Sequence, residues 1–269
     1  MKGILLYSVI PVRTEASEAA EQSTQILFGE TFAILEQKPR WTRVKLDSDA
    51  QEGWVDAKMI CPMKAEEYAS YRQALNGAAT VVMPMAYAVS ENNGQTIPLT
   101  AGTRLTNYQA GRFEVLGVGF RIDPGMVIAK SLDLNEQNLL QAVRFFLNIP
   151  YLWGGKNAMG MDCSGFTQII LSLFGKKLPR NASEQATCGR KISALTKVKA
   201  GDLVFFDHYE PTANSQQPIA KVTHVGIVID AERVIHCSGR VKVEKLDETG
   251  IFNAEAGQYS HHLVSIRRI

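Results

Sequence analysis

Cys163 is the side chain whose setting in this 269-residue sequence best fits a catalytic nucleophile. It follows Asp162, a residue type that caps helix N-termini, and it begins an apolar run that stops at Gly175. The pattern predicts a helix over residues 163–174 with Cys163 in its first turn. Backbone N–H groups and the helix dipole would favour the thiolate there, so we expect a lowered thiol pKa. The alternative is a buried cysteine that packs as a small hydrophobe.

Two histidines downstream are suited to act on this cysteine. His224 lies in the strand-like run THVGIVI, and His236 follows twelve residues later in the run VIHC, after a turn at residues 230–232. Two neighbouring paired strands would bring both rings onto one face of a sheet. A nucleophile, a base and a group that orients the base form a catalytic triad, here in the chain order Cys163, His224, His236. His208 is a rival base, but it precedes a loop rich in proline, glutamine and alanine.

The motifs around these residues resemble those of a known family. The runs YLWGG and DCSGF, followed by PRNASEQ, GDLVFF, THVGIV and VIHCSG, are similar to the NlpC-type cell-wall peptidases, a papain-like cysteine peptidase family. The resemblance covers residues 135–269. It implies hydrolysis of the bond between γ-D-glutamate and a diamino acid, either diaminopimelate or lysine, in peptidoglycan stem peptides. The expected partner is therefore a peptide of the type L-Ala-γ-D-Glu-diamino acid, and no cofactor or metal is implied.

The same resemblance suggests roles for the residues near the nucleophile. The Tyr151 hydroxyl would lie near the developing oxyanion, together with the backbone N–H of Cys163, and Trp153 would line the cleft. The positions implied to contact the substrate are Asp162, Ser164, Arg180 and Asn181. Arg180 would offer a forked donor to a substrate carboxylate. Each has a structural alternative: packing for the aromatic residues, helix capping for Asp162 and Asn181, and a surface salt bridge for Arg180.

The chain ahead of this region is β-rich. Short strand-like runs over residues 4–61 predict a small all-β barrel, and their sequence resembles bacterial SH3-like domains that accompany the family. A helical pattern follows, and then a similar glycine spacing returns, for which chance similarity is the alternative. We expect a first SH3-like barrel at 1–63, a helical connector at 64–77, a second, diverged SH3-like barrel at 78–131 and the peptidase domain at 132–269. The fold class is then an α+β papain-like catalytic domain preceded by two small all-β SH3-like barrels.

An acidic residue of the first barrel is expected to recognise the substrate's amine. In members of the family that release L-Ala-γ-D-Glu, such an acid closes the cleft and binds the free amine of L-alanine. The run ExxTQxLxGE makes Glu21 the candidate and Glu30 the runner-up, with a solvated glutamate as the alternative for each. The sequence departs from those relatives at residues 51–52, which are Gln-Glu where a tyrosine is usual, and at residues 181–182, where Asn-Ala replaces Asp-Ser.

Composition and charge exclude several other classes. A net charge of +2 without a Lys and Arg cluster argues against a nucleic-acid partner, and no apolar segment approaches the roughly 18 residues of a membrane span. The apolar run at residues 4–10 imitates a secretion signal but stops at Pro11 without a cleavage site, so we interpret it as a first β-strand.

The cysteines favour a reducing compartment, because they form no close pairs: they are Cys61, Cys163, Cys188 and Cys237. His236 and Cys237 would point to opposite faces of a strand, which argues against a zinc site. We therefore expect a cytoplasmic enzyme of murein peptide recycling, since a blocked groove that admits only free N-termini would spare the nascent wall. Two alternatives stay open: an amidase or transpeptidase on the same triad, and a non-catalytic wall-binding protein.

Overall fold

The computed structural model describes residues 1–207 and 221–269. Contacts divide the chain into two compact units. Unit 1 comprises Met1–Leu132 together with Trp153–Ala158, and unit 2 comprises Asp133–Leu152 together with Met159–Ile269. Unit 1 therefore spans the ranges predicted for the two barrels and the connector, whose internal boundaries stay a prediction. Of the helices in the described residues, none has the length and apolar character needed to cross a membrane.

Unit 1 is built almost entirely from short strands. Its elements are β1 (Lys2–Ile4), β2 (Val9–Arg13), β3 (Gln22–Leu27), β4 (Thr31–Gln37), β5 (Trp41–Leu46), β6 (Glu52–Asp56), β7 (Cys61–Met63), α1 (Ala65–Ala74), β8 (Ala79–Val81), β9 (Met85–Ser90), β10 (Thr96–Thr100), β11 (Arg104–Leu105), β12 (Arg112–Val115), β13 (Val118–Ile122), β14 (Val127–Ile128) and β15 (Lys156–Asn157). The first seven strands form one sheet, in the order β3-β2-β6-β5-β4-β1-β7. Strands β8 to β14, which follow α1, form two smaller sheets, β10-β9-β13-β12 and β11-β8-β14.

The apolar run at residues 4–10 forms two strands, so the prediction of a single strand there is wrong. The chain turns after β1, where the Leu5 N–H donates to the Glu30 carbonyl at 3.1 Å and the Leu5 carbonyl accepts from Gly29 N–H at 2.8 Å. Pro11 lies inside β2 and not at its end. Local hydropathy does not show this turn, because its hydrogen-bond partners lie about 25 residues away in the sequence.

An aromatic cluster joins the strands before and after α1 in one core. Phe28 packs edge-on against Phe113 and Phe120 with ring centroids 6.5 and 5.7 Å away, and these two rings stack on each other at 5.1 Å. Tyr71 of α1 joins the same core, and its hydroxyl donates to the Gly29 carbonyl at 3.0 Å. The two halves of unit 1 are thus held together by shared apolar burial, the dominant stabilising term in folding.

Unit 2 places its helices first and an antiparallel sheet after them. Its elements are α2 (Glu136–Val143), β16 (Gly160–Met161), α3 (Cys163–Leu173), α4 (Ala182–Gln185), β17 (Arg190–Ile192), β18 (Leu203–Asp207), β19 (His224–Val228), β20 (Arg233–Ser238), β21 (Arg240–Leu246), β22 (Gly250–Asn253) and β23 (Gln258–Arg268). The last seven strands form one sheet in the order β17-β23-β18-β19-β20-β21-β22. This is the predicted α+β layout.

Helix α3 confirms the prediction made from its capping residues. The Asp162 carboxylate accepts the Gly165 N–H at 2.7 Å, which fixes the start of the helix at Cys163. Gly175 follows the end of α3 with a φ of 72°, a left-handed conformation that favours glycine. Apolar residues at helical spacing run from Leu139 to Leu147 and predict a helix over that stretch, but helix α2 is shorter. It ends at Val143, and the chain turns at Asn148, whose φ is 68°.

Candidate active site

Cys163 is placed against the strand that carries the predicted base. Its side chain is 7% exposed, and its sulfur accepts hydrogen bonds from the backbone N–H groups of Val225 and Ser164. Val225 directly follows His224 on β19. The structure therefore brings the proposed nucleophile to the residue next to the proposed base.

The expectation of a lowered thiol pKa is wrong. The pKa of Cys163 is raised to about 11, mainly by burial and also by the negative charge of Asp162. The N–H groups of Val225 and Ser164 and the charge of Arg180 act in the opposite direction. Loss of hydration of the thiolate thus outweighs the favourable field at the start of α3. At neutral pH the free thiol keeps its proton, so a base has to accept that proton during nucleophilic attack.

The two predicted histidines are in direct contact. His224 Nε2 lies 2.8 Å from His236 Nδ1, and the strand register pairs Gly226 with His236, so all three residues share one face of the sheet. Gly226 is needed for this approach. A Cβ at that position would lie 2.5 Å from Val234 Cγ2 and 3.1 Å from His236 Cβ. The glycine in the run THVGIV therefore provides room for the His236 side chain.

Glu244 extends this pair and was missed by the sequence analysis. His236 Nε2 lies 2.8 Å from Glu244 Oε2, and Lys242 Nζ lies 3.0 Å from the same oxygen. Burial alone would raise the pKa of Glu244, but its hydrogen bonds with His236 and Lys242 hold the pKa below its usual value. Burial lowers the pKa of His236, with Glu244 acting in the opposite direction. The ring of His236 is thus neutral and its neighbouring carboxylate is ionised at neutral pH.

His261 is a second residue that the sequence analysis missed. Its ring stacks on the ring of His224, with centroids 4.2 Å apart and an interplanar angle of 29°. The side chain is 4% exposed, and its Nδ1 lies 2.9 Å from Ser260 Oγ. One face of the His224 imidazole is therefore covered, which limits tilting of the ring. The sequence signal was available, because His261 shortly precedes the strand-like run LVSI at residues 263–266.

Tyr151 lies close enough to Cys163 to respond to its charge. Its backbone N–H donates to the Gly239 carbonyl at 2.8 Å, and its side chain is 37% exposed. Burial raises the pKa of Tyr151, and the negative charges of Cys163 and Asp162 raise it further. The hydroxyl therefore stays protonated over the physiological range and can donate a hydrogen bond.

Arg180 is buried, so the prediction that it offers a free forked donor to the substrate is wrong. The residue is 1% exposed, its Nη1 donates to Asp162 Oδ1 at 3.0 Å and to Ser164 Oγ at 2.8 Å, and its Nη2 donates to Asp162 Oδ2. Ser164 Oγ donates in turn to Asp162 Oδ1 at 3.2 Å. A buried guanidinium needs a counter-charge, and the helix-capping carboxylate supplies it. The three predicted substrate contacts thus form a network that holds the start of α3.

Replacing Arg180 with methionine is expected to lower the free energy of unfolding by about 3–5 kcal/mol, because the change leaves the Asp162 carboxylate buried without its counter-charge. Chemical denaturation would measure this loss. The matched control is Arg233→Met, since Arg233 is 48% exposed and pairs with Asp230 at 2.6 Å on the surface. The free energy of unfolding of Arg233→Met should fall by about 1 kcal/mol or less. Equal losses in the two variants would contradict the structural role assigned to Arg180.

Trp153 and Glu21 lie together on the surface of unit 1. The Trp153 indole Nε1–H donates to Glu21 Oε1, and the Trp153 carbonyl accepts from Gln22 Nε2 at 3.0 Å. Trp153 is 59% exposed. Glu30, the runner-up, has a different setting, because its Oε2 accepts the Leu27 N–H at 2.8 Å within a turn. Of these two glutamates, Glu21 is the one with an exposed carboxylate held by an aromatic donor.

The segment Trp153–Ala158 is fixed to strand β3. Gln25 Oε1 accepts hydrogen bonds from the Lys156 N–H and from Asn157 Nδ2, each at 2.8 Å. Gly154 has a φ of 73°, and a Cβ there would lie 2.5 Å from the Gln22 carbonyl oxygen. Glycine is therefore required at this position of the YLWGG motif.

Two further predicted residues lie elsewhere. Asn181 is exposed and is the N-cap residue of α4, where its backbone N–H and its side-chain amide each lie 3.2 Å from Glu184 Oε2. It thus takes the capping role that the sequence analysis gave as the alternative. His208, the rival base, lies outside the described residues.

Comparisons with known proteins agree with this geometry. Residues 148–260 match the NlpC/P60 family, and residues 12–60 match the bacterial dipeptidyl-peptidase Sh3 domain. A γ-D-glutamyl-L-lysine dipeptidyl-peptidase of Bacillus subtilis is 28% identical over 225 residues, which cover 79% of this chain and 71% of that protein. A protein of the same name from Bacillus cereus is 23% identical over 261 residues, which cover 90% of this chain and 75% of that protein.

The fold has a full-length counterpart among solved structures. The crystal structure of an NlpC/P60 family protein from Bacillus cereus has a TM-score of 0.80 at 19% identity and covers 100% of this chain and 99% of its own. At that identity the likeness concerns the fold. Together with the two matched domains and the cysteine and histidine placement, it confirms the expected fold class. The chain therefore contains an NlpC/P60 domain of the cysteine peptidase type, preceded by a bacterial dipeptidyl-peptidase SH3 domain.

Proposed function

We propose that this protein hydrolyses the bond between γ-D-glutamate and a diamino acid in peptidoglycan-derived peptides, and that it releases L-Ala-γ-D-Glu from peptides with a free N-terminal L-alanine. The observation that carries the proposal is the contact of the Cys163 sulfur with Val225, beside the hydrogen-bonded pair His224 and His236. The choice of bond is supported by relatives named γ-D-glutamyl-L-lysine dipeptidyl-peptidase.

The proposed reaction begins with transfer of the Cys163 thiol proton to His224. His224 Nε2 contacts His236, so the proposed reaction assigns the thiol proton to Nδ1. The sulfur bonds to the γ-carbonyl carbon of D-glutamate, and the carbonyl π electrons move to oxygen. When this intermediate collapses, the C–N bond breaks and His224 returns the proton to the leaving amine of the diamino acid. The product of this half-reaction is a thioester on Cys163.

Water completes the cycle by the reverse use of the same groups. His224 takes a proton from water as the water oxygen attacks the thioester carbonyl carbon. The C–S bond then breaks, and the sulfur regains a proton from His224. The γ-carboxylic acid is released and ionises by giving its proton to solvent, and the enzyme is restored. Each proton that His224 accepts is returned, which keeps the reaction balanced.

Two donors would stabilise the oxyanion of each tetrahedral intermediate. As the first residue of α3, Cys163 has a backbone N–H without an acceptor inside the helix. The Tyr151 hydroxyl, which burial keeps protonated, is the second donor. Loss of one such donor typically costs about 10²–10³-fold in turnover.

Glu21 is the proposed partner of the substrate's free amine. Its carboxylate is exposed and is oriented by the Trp153 indole, which follows Tyr151 by two positions in the YLWGG motif. A carboxylate with a fixed direction forms a charge-assisted hydrogen bond with an ammonium group, about twice as strong as a neutral one. An N-acetylated peptide lacks this charge, so its binding would lose that contribution.

Replacing Glu21 with glutamine is expected to raise KM for free-amine peptides about 10-fold with kcat nearly unchanged, because it removes the charge that binds the ammonium group. The amide oxygen of glutamine can still accept the Trp153 indole N–H, so the indole should keep its position. Steady-state kinetics would measure the change. The control is Glu15→Gln, which removes the same charge from a nearby exposed position. An unchanged KM in Glu21→Gln would exclude Glu21 as the amine partner.

Product analysis tests the function as a whole. L-Ala-γ-D-Glu-diaminopimelate, its lysine counterpart and the N-acetylated forms would be incubated with the protein and followed by mass spectrometry. Release of L-Ala-γ-D-Glu from the free-amine peptides alone would support the proposal. Cleavage of the acetylated forms as well would overturn the amine preference, and transfer to an acceptor other than water would favour the transpeptidase alternative. Without any cleavage, binding to intact wall would become the competing function.

The biological role follows from the substrate preference. An enzyme that requires a free N-terminal alanine leaves stem peptides attached to glycan intact, because their L-alanine nitrogen is part of an amide. Such an enzyme can act on turnover peptides in the cytoplasm, and murein peptide recycling in that compartment is therefore part of the proposal. Cell fractionation with an antibody against the native protein would test the location.

A further inference from the structure

His224, His236 and Glu244 form a diagonal row on one face of the sheet of unit 2. The register pairs Gly226 with His236, His236 with Lys242, and Val234 with Glu244. Paired residues share a face and every second residue along a strand returns to it, so the three side chains are neighbours across β19, β20 and β21. Both contacts in the row measure 2.8 Å.

The hydrogen-bonding capacity of these groups fixes where their protons lie. An ionised carboxylate only accepts hydrogen bonds, so the proton between His236 and Glu244 belongs to His236 Nε2. A neutral His236 then has a lone pair on Nδ1, which must accept from His224 Nε2–H. A neutral His224 with its proton on Nε2 has its lone pair on Nδ1. That lone pair is the one a thiol proton needs.

We propose that Glu244 is a positioning residue that sets the tautomers of both histidines, so that His224 presents an unprotonated Nδ1 to Cys163. The inference rests on the proposed function in one respect, namely that Cys163 and His224 are the reacting pair. Glu244 itself does not touch the reacting atoms in this scheme. It acts through His236, and its charge also favours the imidazolium that His224 becomes after it accepts the thiol proton.

The surroundings of the row support a specific role for the carboxylate. Lys242 Nζ lies 3.0 Å from Glu244 Oε2, and the Glu244 side chain is only 11% exposed. His236 is fully buried, and the ring of His261 on β23 lies 5.8 Å from it between centroids. The charged and titratable groups that face His236 are thus His224, Lys242, Glu244 and His261 among the described residues. Of these, Glu244 is the one that supplies a negative charge.

Replacing Glu244 with glutamine or alanine is the direct test. Glutamine can accept from His236 Nε2–H or donate to an unprotonated Nε2, so it no longer selects one tautomer. We expect kcat to fall about 10-fold in Glu244→Gln and about 100-fold in Glu244→Ala, with KM within about twofold of wild type. The control is Glu255→Gln. Glu255 and Glu244 line one surface groove, but the Glu255 side chain is 83% exposed and pairs with Arg240. Its kcat should match wild type.

A spectroscopic measurement reports the tautomers without any substrate, and it is not affected if a variant has a smaller folded fraction. Long-range proton–nitrogen NMR spectra of ¹⁵N-histidine protein distinguish Nδ1–H from Nε2–H rings, with assignments from His224→Gln and His236→Gln. We expect Nε2–H at both positions in wild type and a mixture at His236 in Glu244→Gln. Nδ1–H at His236 in wild type would overturn the proposal, as would wild-type tautomers and kcat in Glu244→Ala. The protein could also show the expected tautomers and cleave none of the tested peptides. That result would reject the proposed substrate and support the role of Glu244.

Discussion

Replacing Cys163 with alanine is expected to reduce peptide hydrolysis by at least about 10⁴-fold, because the variant has no atom that can form the acyl-enzyme. Loss of the nucleophile in a triad costs nearly as much as loss of the whole triad, so little residual turnover should remain. Calorimetry of the variant with substrate would show whether binding survives. Persistence of binding without turnover would separate the chemical role of the sulfur from a folding defect.

Cys188→Ala is the matched control for this substitution. Cys188 is partly exposed and lies three residues beyond α4, where its thiol donates to the Glu184 carbonyl at 3.6 Å, and the proposed chemistry does not use it. Its turnover should equal that of wild type. A Cys163→Ala protein with more than about a tenth of wild-type activity would eliminate the covalent mechanism.

The raised thiol pKa adds a pH dependence to the same prediction. Since the pKa of Cys163 moves up from 9.0 to about 11, the thiolate fraction at neutral pH falls unless a base withdraws the proton. Alkylation of Cys163 should therefore become faster as the pH rises. In His224→Ala it should be slower than in wild type at neutral pH, because no base accepts the thiol proton, and this difference should shrink as the pH approaches 11. Peptide mapping would assign the modified cysteine, and identical pH profiles in the two proteins would contradict the role of His224 as base.

Replacing His236 with alanine is expected to lower kcat about 10³-fold, because His224 loses the acceptor that orients its Nε2–H. The residue is fully buried and contacts Glu244 on its other side, so stability must be followed in parallel by circular dichroism. Steady-state kinetics on the free-amine peptide would give kcat and KM separately. KM should change little, since His236 does not touch the substrate in the proposed mechanism.

His236→Asn distinguishes orientation from simple packing. The amide oxygen of asparagine can accept the His224 Nε2–H, so a substantial part of the activity should return. The alanine side chain has no hydrogen-bond acceptor. Wild-type kcat in His236→Ala would remove this residue from the triad, and equal losses in the two variants would show that the amide cannot orient the base.

The parts of the fold set by local chemistry were predictable from sequence. Helix α3 is an example, because Asp162, the apolar run and Gly175 all act within a few residues of each other. The strands that carry His224 and His236 follow from apolar runs separated by a turn. The placement of both histidines on one face of the sheet needed only the assumption that the two strands pair.

The parts set by distant partners were not predictable. Glu244 reaches His236 only through the register of β20 with β21, and a shift of one residue would move it to the other face. Arg180 was expected at the surface because nothing in its neighbours reveals a carboxylate buried beside it. The prediction of a lowered thiol pKa was wrong for a similar reason. The start of the helix can be recognised in the sequence, whereas the burial of Cys163 depends on its packing against β19. Desolvation is a property of the assembled unit.

The placement of Trp153–Ala158 in unit 1 limits how such a protein can evolve by exchange of parts. These six residues are encoded between Tyr151 and Cys163, yet their side chains and backbone are matched to Gln22 and Gln25 of β3. A recombination event that exchanged the N-terminal strands alone would leave residues 153–158 without their hydrogen-bond partners Gln22 and Gln25. Inheritance of the two segments is therefore expected to be coupled, with paired substitutions at Gln25 and Asn157 across homologues.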